Sequence, residues 1–169
     1  MPPVFDGHND VLSRLARSGP AALEGFLAGD GEGHVDLPRA TAGGLAGGCF
    51  AVFTCSPPDD AYDSGAYFAP VDHARALEEA LAQAALLLRL ERASGGRVRV
   101  VRSPADLDGG GLAAVLHLEG AEPLGPALDE LEVLHAAGLR SLGLTWSRPN
   151  AFATGVPFAF PGSPDQGPG

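Results

Sequence analysis

Short apolar runs alternate along this chain with stretches of helical periodicity, the pattern of βα units feeding a parallel sheet and so of an α/β fold. "PVF", ending at Phe5, predicts a first short strand, and Val11 to Arg17 predicts a helix after a polar turn. Residues 23–44 are rich in glycine and charge and predict loop, with one short helix near Leu37 to Ala42. "LAGGCFAVFTC" predicts a second, fully buried strand whose paired glycines suit close packing inside a sheet or barrel. After a loop over 56–70, residues 71–94 form the clearest helix, rich in alanine and leucine and stopped by Gly95 and Gly96. "RVRVV" is a third strand, "SPADL" starts a short helix with Ser103 as its cap, and "GLAAVLHLEG" is a fourth strand. Residues 126–139 follow as an amphipathic helix with Leu128, Leu131 and Leu134 on one side, then "LRSLGLTW" as a fifth strand. From residue 147 to 169 periodicity stops and an irregular loop is expected, within one domain spanning 1–169.

The totals sharpen this picture. A chain of 169 residues can bury one core, yet falls short of the roughly 250 residues of a complete eightfold α/β barrel. With 45% hydrophobic and 19% charged residues it is globular rather than disordered. The net charge is −10 and every basic residue is arginine, so no phosphate-neutralising stripe exists. Nucleic acid and anionic membrane surfaces are therefore excluded as partners. Cys49 and Cys55, six positions apart on one strand, lie about 20 Å apart and cannot pair, which predicts two buried thiols. Asp6 interrupts the first apolar residues and no run approaches about 18, so neither a secretory leader nor a membrane span is expected, and a cytoplasmic location is.

In parallel α/β folds the working residues collect at the carboxyl ends of the strands. His8 and Asp10 follow the first strand, and Glu119 ends the fourth. An imidazole nitrogen, one carboxylate and a second carboxylate able to bridge suit zinc, or less selectively manganese or iron. Plainer readings stand beside this one. His8 and Asp10 could bond backbone groups and cap the next helix, and Glu119 could be the first polar residue of a loop.

Four motifs carry a further signal: "DGHND" at 6–10, "GHVDLPR" at 33–39, "LHLEGAEPL" at 116–124 and "GLRSLGLTWSRPNAFATG" at 138–155. In this order they resemble the membrane dipeptidase (renal dipeptidase) family of zinc peptidases, whose members are single (β/α)8 TIM barrels with a two-zinc site. The resemblance covers almost the whole chain but only the N-terminal half of a member. It implies a barrel fold of which this chain supplies about the first five β/α units. His8 and Asp10 match the ligands of the first zinc, and Glu119 matches the catalytic carboxylate that bridges both. The implied reaction is hydrolysis of a dipeptide, including one with a C-terminal D-residue, by a metal-bridging hydroxide.

Two later histidines, an arginine and an aspartate of the family have no counterpart within these residues. The expectation for this chain alone is one zinc and weak or no peptidase activity unless a homodimer or partner chain completes the barrel. The alternative is a non-catalytic half-barrel, a fragment or split-gene subunit that pairs through the open edges of strands one and five. Many members carry histidine after the threonine of strand five, where this chain has Trp146, a residue able to wall a pocket and donate one hydrogen bond. Trp146, Asn150 and Arg148 are the candidate substrate-binding residues, the last two also readable as a turn residue and a surface charge. His117 shares the face of Glu119 and suits a supporting role. His34 is expected to be structural, and His73 and His135 to lie on helices remote from the rim. Glu122, Asp129, Glu130 and Glu132 read as loop and helix-surface charges, and Asp59, Asp60 and Asp63 as solvated loop residues.

Overall fold

The computed structural model describes residues 2–56 and 68–155. Five parallel strands form one sheet: β1 (Val4–Asn9), β2 (Leu45–Phe53), β3 (Val98–Val100), β4 (Leu112–Glu119) and β5 (Leu139–Gly143). The helices are α1 (Val11–Ser18), α2 (Ala22–Ala28), α3 (Leu37–Ala42), α4 (His73–Ala93) and α5 (Asp129–Ala137).

β2 and β4 are the centre of the sheet, paired from Gly47 opposite Ala113 to Phe53 opposite Glu119. β1 lies outside β2. The other edge of β4 is shared, with β3 along Leu112–Ala114 and β5 along Leu116–Glu119. Five strands thus make a sheet four strands wide, because β3 has only three residues and leaves the rim half of β4 free for β5.

Alternation sorts the sheet into two faces. Phe50, Val52, Ala114, Leu116, Leu118 and Leu139 join Leu12, Leu15, Phe26, Leu87 and Leu90 in the core under the helices. The opposite face carries Cys49, Phe53, Val115, His117, Glu119 and Ser141, all half-buried. Gly47 is required there, since a Cβ would lie 2.5 Å from the Ala113 carbonyl oxygen and 2.9 Å from the Phe5 ring. α4 buries Ala76, Ala80, Gln83, Ala84, Leu87 and Leu90 at spacings of three and four, one apolar stripe against the sheet.

Some expectations are corrected. The loop predicted over 23–44 contains α2, whose Ala22 and Phe26 are buried one turn apart while Gly25 and Gly29 disguise its periodicity. β1 runs on through the polar residues to Asn9. Leu128 is not on the buried side of α5: it precedes the helix with φ 65°, exposed, and Leu134 alone of the three leucines is fully buried. The two cysteines are free as expected but half-buried rather than buried. Residues 147–155 have no helix or strand, whereas Asp59, Asp60, Asp63 and residues 156–169 lie outside the described residues. No described helix is long and apolar enough to cross a membrane.

Candidate metal centre

The opening polar run works through a bulge. Asp6 lies opposite Gly48 and Asn9 opposite Phe50, so β1 takes three steps where β2 takes two. Asp6 and Asn9 both remain on the helix side, where Asn9 Nδ2 donates to Asp6 Oδ2 at 3.0 Å and the His8 amide donates to Asp6 Oδ1 at 3.3 Å. The extra residue turns His8 to the open face, a re-aiming that bulges commonly perform. Asp10 then occupies the position before α1 without using its carboxylate as a cap. Asn9 Oδ1 accepts from the Val11 amide instead, at 3.4 Å.

Glu119 reaches the same point from the end of β4. His8 Nε2 stands 3.4 Å from Asp10 Oδ1 and 3.4 Å from Glu119 Oε2. One ligand atom from each of the three falls within 4.8 Å of the other two. Ligands about 2.1 Å from a tetrahedral zinc are about 3.4 Å apart along each edge of the tetrahedron, so the two imidazole separations match such a site. Its electrostatics favour a cation as well. Burial pushes the Glu119 carboxyl above its ordinary range, Asp10 and Glu122 push the same way, and His8 and Arg148 oppose them. A cation between these groups relieves that repulsion.

His117 supports the cluster from one layer below. Its Nδ1 is 2.8 Å from Ser141 Oγ, and its ring meets that of His8 edge-on at 5.9 Å. Burial, with His8 nearby, pushes His117 below its ordinary range, which favours a neutral ring.

A cavity of about 800 Å³ opens beside the triad, lined by His8, Asp10, Glu119, Phe53 and Trp146 on one side and by residues of α1 and α4 on the other. Trp146 packs edge-on to Phe53 at 5.1 Å and stacks on Phe68 at 5.9 Å. Arg148 lies behind this wall and is fully buried. Its Nη2 donates to the Thr54 carbonyl at 2.6 Å, Nη1 to Ser56 Oγ at 3.1 Å and Nε to Glu122 Oε1 at 3.4 Å. Its guanidinium also sits 5.2 Å from the Phe53 ring centre and 5.3 Å from that of Trp146. The loops after β2, β4 and β5 are thereby tied to one buried cation.

Two surface readings are overturned here. Arg148 is not a surface charge, and Glu122 is not a loop-surface charge but a buried carboxylate paired with it, whose Oε2 has no hydrogen-bond partner among the described residues. Both lie next to turn residues, and no local pattern marks them as buried. Gln83 was also missed. From α4 its amide accepts from Phe53 N at 3.2 Å and donates to Phe53 O at 2.8 Å, fixing the end of β2. A lone glutamine on the buried stripe of an alanine and leucine helix is the signal that could have found it.

Asn150 staples its own loop: Nδ2 donates to Leu144 O at 2.7 Å, and Oδ1 accepts from the amides of Phe152 and Ala153. His34 is exposed and borders a second cavity with His8 and Asp10. His73 is not remote from the strand ends. At the start of α4 it lies 3.6 Å from Glu130 and borders a cavity with Glu122 and Asn150.

Residues 1–160 match the family described as membrane dipeptidase (peptidase family M19). Among solved structures, the chain is similar to the dipeptidase AC, a metallopeptidase of family M19. The TM-score is 0.83 at 49% identity, over 98% of this chain and 49% of that one. It is also similar to a metallopeptidase from Rhodobacter sphaeroides liganded with a phosphinate mimic of the dipeptide L-Ala-D-Ala. There the TM-score is 0.84 at 44% identity, over 98% of this chain and 51% of the other. An uncharacterized protein in the PQQ-III 3' region of Acinetobacter calcoaceticus is 36% identical over 99% of this chain and 56% of its own length. The chain thus spans about half the length of these relatives.

Proposed function

This chain belongs to the membrane dipeptidase family (peptidase family M19), and from that premise we propose that His8, Asp10 and Glu119 hold a zinc ion for the hydrolysis of dipeptides. The observation that carries the reading is the meeting of these donors at tetrahedral-edge separations of 3.4 Å, at the strand ends of a sheet that forms about half of the family's TIM barrel. The similarity to a structure liganded with a mimic of L-Ala-D-Ala supports a dipeptide substrate, including one with a C-terminal D-residue.

Zinc bound there supplies a Lewis acid for the peptide carbonyl and lowers the pKa of water toward neutrality. The chain's own residues do the rest. Glu119 and Asp10 supply the charge that holds the cation, and His8 supplies an imidazole nitrogen. Phe53 and Trp146 wall the cavity against water, and Arg148 fixes that wall from behind.

Among the described residues three donors meet to hold one zinc, and in this reading a second takes ligands supplied by a partner chain or a second copy that completes the barrel. Exposed Phe5 and Leu142 on the edge strands, with exposed Leu144 just past the end of β5, favour such completion, and without it the chain is a half-barrel scaffold. The test is dipeptide turnover with measured zinc content, for the chain alone and with a polypeptide carrying the other half of a barrel. One zinc and little turnover alone, rising with the second polypeptide, is the expected result. Zinc content unaltered by His8→Ala would overturn the reading.

A further inference from the structure

The wall of the cavity that faces the triad holds two arginines, and one of them, Arg17, has neither a carboxylate nor a backbone partner among the described residues. α1 lies against the end of β2 and turns Ser13, Ala16 and Arg17 toward the cavity, while Val11, Leu12 and Leu15 enter the core. Across from it, Arg75 and Glu79 of α4 are committed to the backbone. Arg75 Nε donates to Glu79 Oε1 at 3.0 Å and Nη2 to Cys55 O at 2.7 Å, while Glu79 Oε2 accepts from Cys55 N at 2.9 Å. Arg17 is exposed, and among the described residues its guanidinium meets only Cys55 Sγ, at 3.1 Å from Nη1. A thiol sulfur is a weak acceptor that a carboxylate readily displaces. Arg17 also borders the second cavity beside His8 and Asp10, so it flanks the triad on both sides.

We propose that Arg17 is a substrate-recognising residue whose guanidinium takes a carboxylate of the bound dipeptide, either the C-terminal group or an acidic side chain. The proposal rests on the dipeptide reading above and deepens it. A planar fork of donors matches a carboxylate with two parallel hydrogen bonds, a better partner than the half-buried thiol it would leave.

The test uses the zinc-loaded chain and four probes: L-Ala-D-Ala, its C-terminal amide, L-Ala-D-Asp and L-Ala-D-Asn. Binding is read by calorimetry and by the emission of Trp146, which lines the same cavity. Wild type should favour the charged member of one pair by about tenfold, about 1.4 kcal/mol. Arg17→Gln should abolish that preference without changing zinc content or circular dichroism, and the pair affected identifies the carboxylate. No preference in wild type, or one that survives Arg17→Gln, overturns the assignment while binding of the neutral probes leaves the dipeptide reading standing. Failure of the zinc-loaded chain to bind any of the four, alone and also with the polypeptide that completes the barrel, overturns both.

Discussion

Replacing Arg148 with methionine removes one positive charge from a site where its carboxylate partner has nowhere to go. The side chains of Arg148 and Glu122 are 0% and 1% exposed, and Glu122 Oε2 already lacks a hydrogen-bond partner among the described residues. Loss of the guanidinium leaves Glu122 an unpaired buried acid and strips donors from Thr54 O and Ser56 Oγ. Breaking a buried pair from one side costs about 3–5 kcal/mol, against a total stability of about 5–15 kcal/mol for an ordinary domain. Arg148→Met should therefore lower the unfolding free energy by about 3–5 kcal/mol. Adding Glu122→Leu should recover most of the loss, because the stranded charge goes with it. Urea titration measures this, and Trp146, the only tryptophan in the chain, reports it. Its contact with Arg148 means that the emission of the folded state will itself shift, so midpoint and slope rather than amplitude carry the comparison. A loss below about 1 kcal/mol for Arg148→Met, or a double variant as unstable as the two single losses summed, would refute the keystone role.

Other regions give independent expectations. Glu91 Oε1 and Oε2 accept from Arg102 at 2.9 and 2.8 Å, and the Val100 amide donates to the same carboxylate. The Arg102 hydrogen bond, aided by that amide, holds the Glu91 carboxyl below its ordinary range. Its contribution is full above the unfolded carboxyl value of about 4.3 and is lost as pH falls through the lower folded value. Glu91→Gln should thus flatten the acid limb of stability against pH, and an unchanged limb measured by thermal melts would count against the pair. Gly47→Ala forces a Cβ to within 2.5 Å of backbone at Ala113, and overpacking of this kind costs about 1–3 kcal/mol. A thermal melt matching wild type would show that the two strands can part to admit it.

Much of the fold could be read in advance because its elements announce themselves locally. The long run of α4 between Pro70 and Gly95, and the apolar β2 and β4, need no tertiary information to be recognised. α2 escaped because two glycines lower helix propensity and burial of Phe26, not local preference, holds it in place. The shared edge of β4 escaped because pairing is non-local. In the site, His8, Asp10 and Glu119 were suggested by residue type and by place at strand ends. The bulge that brings His8 to face Glu119 depends on the register between β1 and β2, which no short motif displays. Arg148 and Glu122 lie 26 positions apart, and their burial arises only where three loops converge.

In the proposed site one imidazole and two carboxylates share a single cation. X-ray absorption at the zinc edge of the zinc-loaded chain, compared with its His8→Ala variant, tests this most directly. The expected spectrum has a first shell of nitrogen and oxygen at about 2.0–2.2 Å, with the imidazole scattering and most of the zinc lost in the variant. A first shell unchanged by His8→Ala, or one dominated by sulfur at about 2.3 Å, would contradict it.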